Sequence, residues 1–144
     1  MKKILLDTNI IIDLLAKREP WYIEAASLFS LADKKTVELF TSALSFANTQ
    51  FILSRQLKPA QAKQVLRKLK VMVHVLDLTD KILELSLNDD EFQDFEDAIQ
   101  YFSAVENGVQ IIISRNLKDF SRSKLPVMTA DQFLKTDLFK SQEI

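Results

Sequence analysis

The sequence predicts an α/β fold in which a parallel sheet of about five strands is sandwiched between helices. Short apolar runs that end in polar residues alternate with longer segments whose apolar residues recur at helical spacing. The connecting segments are short, and this alternation favours parallel strands covered by helices on both faces. The chain has a single glycine, which excludes the glycine-rich phosphate loops of P-loop and dinucleotide-binding folds.

Two strands and four helices are predicted in the first half of the chain. The apolar run Lys3–Leu6 lacks the alternation of a half-exposed strand, which indicates a strand buried on both faces. Either Thr8 or Asn9 can cap the helix that follows, and Pro20 suits the start of the next helix. The remaining elements of this half are a strand at Glu38–Thr41, a helix from about Ser42 to Arg55 and a helix from Pro59 to about Lys70.

Three strands and three helices are predicted in the second half. The valine-rich segment Val71–Leu78 is typical of a strand, and His74 within it is interpreted as structural or exposed at an edge. Gly108 is expected to stop the helix that begins at Asp94. The remaining elements are a helix at Asp80–Leu87 capped by Thr79, a strand at Ile111–Ser114, a turn through Asn116–Phe120, a strand near Pro126–Met128 and a terminal helix from about Asp131.

Composition narrows the class of protein. Hydrophobic residues make up 47% and charged residues 27%, which is typical of a globular chain, and we expect one domain over residues 1–144. A net charge of -1 excludes a generally basic surface, although a metal-dependent enzyme can carry positive charge as bound ions. The absence of cysteine excludes disulfides and thiolate zinc sites. No run approaches the ~20 apolar residues of a membrane span, so we expect a cytoplasmic protein without membrane contact.

The first acidic motif lies where the first predicted strand ends. Asp7 follows the apolar run directly, and in an open parallel sheet ligands bind outside the carboxyl ends of the strands. A carboxylate there is costly to desolvate unless positive charge is near. Asp7 is therefore interpreted either as a helix N-cap, a position that aspartate favours, or as a metal ligand, and this residue alone does not separate the two.

A second acidic motif stands at the start of a later helix. Asp94 and Asp97 are three residues apart and share a helix face, whereas Glu96 is expected to point elsewhere. Asp94 also suits a capping role, because acids near a helix start are favoured by the helix dipole. Asp97 adjoins the apolar residues that pack inward from this helix, so its carboxylate calls for a partner.

The third acidic residue, Asp119, follows the predicted strand Ile111–Ser114 and in isolation is better explained as a turn residue. Together with Asp7 and Asp97, however, it completes a set of acids placed after a strand, at a helix start and after another strand. Clustered carboxylates repel one another unless cations lie between them, and Mg²⁺ and Mn²⁺ prefer oxygen ligands. The three acids therefore predict a site for Mg²⁺ or Mn²⁺.

Three segments in order, ILLDTNIIIDLL, DFEDAIQYFSA and IIISRNLKDF, resemble the motifs of PIN-domain nucleases. The resemblance covers nearly the whole chain and is closest to the small prokaryotic type that includes the VapC-like toxins of type II toxin–antitoxin pairs. It implies a single PIN-like domain and an acidic quartet that binds one or two Mg²⁺ or Mn²⁺ ions and cleaves RNA. It also implies a homodimer and an antitoxin that lies over the acidic pocket.

The resemblance assigns roles by position. Asp7 corresponds to the first acid of the quartet, Asp97 to the third and Asp119 to the fourth. Asn9 matches a polar residue beside the first acid, and Ser114 matches a hydroxyl residue that precedes the last acidic motif. We expect Asn9 and Ser114 to lie near the substrate.

The sequence departs from the family pattern at the second acid. Where the resemblance implies a glutamate on the helix after the second strand, this chain has Asn48. An amide oxygen can ligate Mg²⁺ directly or through water but brings no charge, so weaker metal binding is expected unless Asp94 restores the charge. The alternative is a weakened or inactive PIN-like module that binds RNA or a protein partner.

Substrate contacts are expected from local groups, given the net charge. Arg115 directly follows a predicted strand end and is the best candidate to contact phosphate. Lys118 and Arg122 are near it in sequence, although a solvated surface position is the more common explanation for such residues. Trp21 and Tyr22 can stack on bases, although core or interface packing is the more common role.

A receiver-type or phosphatase-like α/β domain also places acids at strand ends. Such a domain is expected to have an acidic pair just before the aspartate of the first strand. This chain has Leu5 and Leu6 there, which argues against that class.

Overall fold

The computed structural model describes residues 1–142, with side chains through residue 136. Within this part of the chain, five strands form one parallel sheet in the order β3-β2-β1-β4-β5. The predicted α/β architecture is therefore confirmed. The strands are β1 Lys2–Leu6, β2 Val37–Ser42, β3 His74–Leu76, β4 Ile111–Ile113 and β5 Val127–Met128.

Seven α-helices in the described residues connect and cover these strands. They are α1 Thr8–Leu15, α2 Tyr22–Asp33, α3 Ala43–Leu53, α4 Pro59–Met72, α5 Asp80–Leu87, α6 Phe95–Glu106 and α7 Ala130–Gln142, with a short 3₁₀ helix at Leu117–Phe120. None of the helices within residues 1–142 combines the length and apolar character needed to span a bilayer. The last two residues of the predicted domain lie outside the described residues.

Strand β1 shows why the sheet is buried on both faces. Ile4 and Leu6 pack into a core that includes residues of α1, α2 and α4, whereas Leu5 packs into a second core with residues of α6. All three side chains are fully buried, as expected when alternate residues of a parallel strand point into two helical layers. The continuous apolar run in the sequence thus has a direct structural cause.

The predicted strand Val71–Leu78 is wrong in its first half, because α4 continues to Met72. The buried positions Ala62, Leu66 and Leu69, with Val73 directly after the helix, recur at helical spacing, so the amphipathic pattern of α4 extends past the predicted end. Val71 is 87% exposed, so its β-propensity has no packing partner to support a strand. Only His74–Leu76 pairs with the sheet.

Helix ends follow the predictions in part. The N-cap of α1 is Asp7 and not Thr8 or Asn9, which both lie inside the helix. Pro20 precedes α2, which starts at Tyr22. Gly108 follows α6 with a φ of 67°, a left-handed conformation in which only glycine carries no steric cost.

The sole histidine lies at an edge of the sheet, in β3. Its side chain is mostly exposed, stacks on Phe40 with 4.9 Å between ring centroids, and places Nε2 3.5 Å from a carboxylate oxygen of Glu38. This position agrees with the interpretation of His74 as an edge residue.

Strand β1 is the point from which the chain adds strands first on one side of the sheet and then on the other. From β1 the chain proceeds outward through β2 and β3 on one side, and later through β4 and β5 on the other. The carboxyl ends of β1 and β4 therefore flank the topological switch point, where open parallel sheets bind their ligands.

Candidate active site

Asp7 and Ser114 stand side by side at the switch point, each one residue beyond its strand. The Asp7 N–H donates to the carbonyl of Ile113 at 2.9 Å, which extends the pairing of β1 with β4 by one residue. The Ser114 hydroxyl donates to Oδ2 of Asp7 at 2.6 Å. Both side chains are buried, so the first predicted acid, Asp7, is held in a fixed position at the carboxyl ends of β1 and β4.

The Asp7 carboxylate is surrounded by neutral donors. Oδ1 accepts hydrogen bonds from the Thr8 N–H at 2.7 Å and from Nε2 of Gln100 at 3.1 Å, and Oδ2 accepts one from Nδ2 of Asn9 at 3.3 Å. No basic side chain of the described residues pairs with it. Burial raises the pKa of Asp7, the hydrogen bonds from Ser114 and Gln100 lower it, and the charge of Asp119 adds to the increase.

Asp97 lies in the first turn of α6, half-buried, and faces the same region. Burial raises the pKa of Asp97 to about 7, and the negative charges of Asp94, Asp7, Asp119 and Glu96 contribute in that order. Four acids are therefore near enough to disfavour its ionisation. Asp94 is the N-cap of α6, where Oδ1 accepts a hydrogen bond from the Asp97 N–H at 3.1 Å.

These acids line one open pocket of about 540 Å³. The predicted residues that line it are Asp7, Asn9, Asn48, Asp94, Asp97 and Asp119, and its other polar residues are Thr8, Arg18, Glu96, Gln100 and Asn116. The fold thus brings together all six predicted acidic and amide residues of the site. Which of them act in catalysis or hold an ion remains a prediction.

The carboxylate and amide oxygens of the acidic pocket are ligands of the kind that a hard divalent cation prefers. In the described part of the chain, no three His, Cys, Asp or Glu side chains stand close enough together to hold one ion by themselves, so water and amide oxygens would have to complete any coordination. Oε1 of Gln100 is buried without a hydrogen-bond partner while Nε2 of the same side chain donates to Asp7. A bound cation or its water would contact both this buried oxygen, which lacks a hydrogen-bond partner, and the buried Asp7 carboxylate, which lacks a basic partner among the described residues.

Glu96 was not predicted to face the site, and that prediction is wrong. Its Oε2 accepts a hydrogen bond from Nδ2 of Asn48 at 3.3 Å, and both residues line the acidic pocket. Neighbouring helix positions are about 100° apart, and here the end of α6 faces the pocket, so Glu96 and Asp97 both reach it. Gln100 was also missed, although its spacing of three from Asp97 and four from Glu96 places it on their side of the helix.

The residues predicted to meet substrate lie in two places. Asn9 and Ser114 hydrogen-bond to Asp7, so they position the carboxylate. The guanidinium of Arg115 instead binds Asp13, with Nε–Oδ2 at 2.8 Å, and lies over the ring of Trp21 at 3.8 Å from the centroid. Arg115 lines a neighbouring pocket rather than the acidic one.

Basic side chains line the acidic pocket and a pocket that adjoins it. Arg18 lines the acidic pocket, and Lys118 lines an adjoining pocket of about 450 Å³ that shares Asp94, Asp97 and Asp119 with it. Neither Arg18 nor Lys118 has a side-chain hydrogen bond or ion pair with the other described residues. Arg122, which the sequence places near Arg115 and Lys118, forms ion pairs with Asp89 and Glu91.

The chain is thus a parallel α/β domain with a carboxylate-lined pocket at the switch point of its sheet, where such folds bind ligands and where oxygen ligands suit a divalent cation. Residues 3–118 match the model of the PIN domain family. The chain therefore belongs to the PIN domain family, and the resemblance drawn from its three sequence motifs is confirmed.

Known proteins of similar sequence and structure agree with this membership. The chain is similar to Ribonuclease VapC1 of Aquifex aeolicus (strain VF5), with 27% identity over 139 residues that cover 92% of this chain and 93% of that protein. Its fold is similar to that of a toxin–antitoxin complex from Klebsiella pneumoniae, at 24% identity, 88% and 96% coverage of the two chains and a TM-score of 0.67. It is also similar to that of DNA-bound VapBC from Salmonella typhimurium, at 18% identity, 90% and 99% coverage and a TM-score of 0.70.

Proposed function

We propose that this chain is a divalent-metal-dependent endoribonuclease and the toxin of a toxin–antitoxin pair. The observation that carries the proposal is the buried Asp7 carboxylate at the switch point of a PIN domain. It shares one pocket with Asp97 and Asp119 and has no basic partner among the described residues. The similar protein Ribonuclease VapC1 is a ribonuclease by name, which supports RNA as the substrate. The similar structure from Klebsiella pneumoniae is a toxin–antitoxin complex, which supports an antitoxin partner.

Asp7, Asp97 and Asp119, with water and amide oxygens to complete the coordination, are the residues proposed to hold the cation, Mg²⁺ or Mn²⁺. When bound, such an ion activates water and stabilises negative charge on a phosphodiester. Ser114 and Gln100 hold the Asp7 carboxylate in place through hydrogen bonds to its two oxygens. The reaction is the addition of water across a P–O bond of the RNA backbone, and it needs no covalent intermediate on the protein.

Phosphate contacts are assigned to Arg18 and Lys118. Their side chains are free of ion pairs within the described residues, and they line two pockets that share Asp97 and Asp119. An RNA strand that passes these acids would therefore have a basic side chain available in each pocket, although the net charge of the chain is -1. Such contacts to the backbone position a nucleic acid without reading its sequence.

The uncompensated acids also suit an antitoxin and a second copy of the chain as partners. An antitoxin arginine or lysine placed among Asp7, Asp97 and Asp119 would bring positive charge to carboxylates that form no ion pair within the described residues. A homodimer is part of the proposal because exposed apolar side chains remain on α2 and α3, with Ile23 67% and Phe51 60% exposed.

One observation favours a second candidate, a PIN module with weak or no catalytic activity. Asn48 stands where an acid is expected, and its amide is hydrogen-bonded to Glu96 rather than held toward Asp7. The neutral side chain lowers the charge available to a cation. Metal binding separates the two candidates, because a non-catalytic module needs none.

RNA cleavage by the purified full chain tests the proposal. Cleavage is expected in Mg²⁺ or Mn²⁺, to stop in a chelator, and to fall to background in Asp7→Asn and in Asp97→Asn. The matched control is Asp33→Asn, at the exposed end of α2, which should cleave like the unchanged chain. If the unchanged chain neither cleaves RNA nor binds either ion, the nuclease proposal fails.

A further inference from the structure

A second pocket of about 390 Å³ lies beside the acidic one, and we refer to it as the Trp21 pocket. It is formed by residues of α1, the start of α2, the segment after β4 and the start of α7. Trp21, the only tryptophan in the chain, lines it with 37% of its surface exposed. An aromatic ring of this size that stays open to a concave site is a candidate binding surface.

The Trp21 ring is contacted by the guanidinium of Arg115, which is itself fixed by an ion pair. Arg115 forms two hydrogen bonds with Asp13, Nε–Oδ2 at 2.8 Å and Nη2–Oδ1 at 3.2 Å, and Asp13 is completely buried. The guanidinium carbon lies 3.8 Å from the centroid of the Trp21 ring, within cation–π distance. Trp21, Arg115 and Asp13 therefore form a preorganised platform, which reduces the entropic cost of binding a flat ligand.

The Trp21 pocket adjoins the acidic pocket at Asn116, which lines both. The same short segment contacts Asp7, because the hydroxyl of Ser114 donates to the Asp7 carboxylate and accepts a hydrogen bond from the Asn116 N–H at 3.0 Å. A strand whose phosphate lies over Asp7 and Asp97 can thus present a neighbouring base to Trp21.

The charges of the pocket select a base over a phosphate. Among the described residues that line it, the basic residue Arg115 is neutralised by Asp13, and the other charged residues, Glu24 and Asp131, are acidic. A phosphate would therefore meet no unpaired cation among these lining residues. The side-chain amide of Asn116 has no hydrogen bond within the described residues and can pair with the edge of a base, as in single-stranded RNA recognition.

Building on the proposed endoribonuclease function, we propose that the Trp21 pocket binds a nucleobase of the RNA adjacent to the cleaved phosphate. Trp21 provides the stacking surface, Arg115 and Asp13 hold it, and Asn116 contacts the edge of the base. Recognition of this kind requires an unpaired base, so the substrate segment is single-stranded at this position.

Fluorescence of the sole tryptophan tests this proposal without any cleavage. The full chain is titrated in a chelator with AMP, GMP, CMP and UMP, and with ribose 5-phosphate as the matched ligand that lacks a base. At least one nucleotide should quench the emission of Trp21 saturably, and ribose 5-phosphate should not. Equal quenching by ribose 5-phosphate, or no quenching by any nucleotide, overturns the proposal.

Binding of a labelled single-stranded oligoribonucleotide in the same chelator provides the second readout. Trp21→Ala should weaken binding roughly tenfold, as expected when one stacked base is lost, and Trp21→Phe should restore most of it. The control Leu87→Ala changes an exposed apolar residue of α5 that lines neither the Trp21 pocket nor the acidic pocket, and it should bind normally. Equal affinities of Trp21→Ala and Leu87→Ala overturn the proposal.

The experiments on the base site and on RNA cleavage can fail independently of each other. If the unchanged chain cleaves RNA in Mg²⁺ but Trp21 responds to no nucleotide, the base site is wrong and the nuclease stands. If nucleotides quench Trp21 but the unchanged chain neither cleaves RNA nor binds Mg²⁺ or Mn²⁺, the base site stands and the nuclease proposal fails.

Discussion

Asp7 combines two roles that sequence reasoning could only set against each other. Its side chain caps α1 through the Thr8 N–H, and the same carboxylate faces the acidic pocket with hydrogen bonds from Ser114 and Gln100. A buried carboxylate with neutral donors alone retains a preference for added positive charge. Capping therefore fixes the orientation of Asp7 and leaves its charge available to a ligand.

Asp97 is expected to couple stability to pH. Burial, followed by the charge of Asp94, raises its pKa from 3.8 to about 7, so the folded chain holds this proton more tightly than the unfolded chain. The resulting stabilisation is complete below pH 3.8 and is lost as the pH rises through about 7. Asp97→Asn removes this titrating group. In a chelator, the stability of Asp97→Asn relative to the unchanged chain should therefore rise between about pH 5 and about pH 8. The expected rise is about 1 kcal/mol, because the partial exposure of Asp97 to solvent screens the effect.

Thermal denaturation at the two pH values measures this difference, with Asp33→Asn as the control that should show no change relative to the unchanged chain. A relative stability of Asp97→Asn that stays constant or falls with pH would contradict the assigned environment of Asp97.

Asn48 and Glu96 decide how much charge the pocket offers to a cation. Asn48→Glu adds a carboxylate beside Glu96 and should tighten Mn²⁺ binding about 3- to 10-fold, because ligand charge tunes the affinity of oxygen sites. Glu96→Gln should weaken it by a similar factor. Calorimetric titration measures both, with the exposed Glu84→Gln of α5 as the control. Unchanged or weaker binding by Asn48→Glu would remove position 48 from the surroundings of the ion.

At the scale of elements, the start of α6 is the decisive feature. Its N-cap Asp94, first-turn acids Glu96 and Asp97, and Gln100 one turn later all line the acidic pocket. Sequence spacing predicted the shared face of Asp94 and Asp97 but not the direction of Glu96, because that direction depends on α3, whose Asn48 is 48 residues away.

The capping role of Asp94 can be separated from a ligand role. Asp94→Ala should cost about 1 kcal/mol of stability, because the Asp97 N–H loses its acceptor. Asp94→Ser keeps a capping oxygen without charge and should retain both the stability and most of the Mn²⁺ affinity. Denaturant unfolding and calorimetry of the two variants measure the difference. If Asp94→Ser lost Mn²⁺ binding as fully as Asp97→Asn, Asp94 would be a ligand.

At the scale of the molecule, prediction succeeded where a short segment determines its own structure. The apolar run of β1 and the stop at Gly108 are examples. It failed where distant residues decide. Arg115 pairs with Asp13 across 102 positions, and no local pattern indicates that a guanidinium after a strand will bind a buried aspartate of α1. The order of the strands, which places Asp7 beside Ser114, was not predicted, because it depends on pairing between segments far apart in the chain.

The central claim is that Asp7, Asp97 and Asp119 surround a divalent cation in one pocket. Anomalous diffraction from crystals of the unchanged chain soaked in Mn²⁺ tests it most directly, with Asp7→Asn crystals as the control. A Mn²⁺ peak among these three carboxylates that disappears in Asp7→Asn is the expected result. A pocket that is open to solvent in the crystal and shows no peak, or a peak only elsewhere on the chain, would contradict the claim.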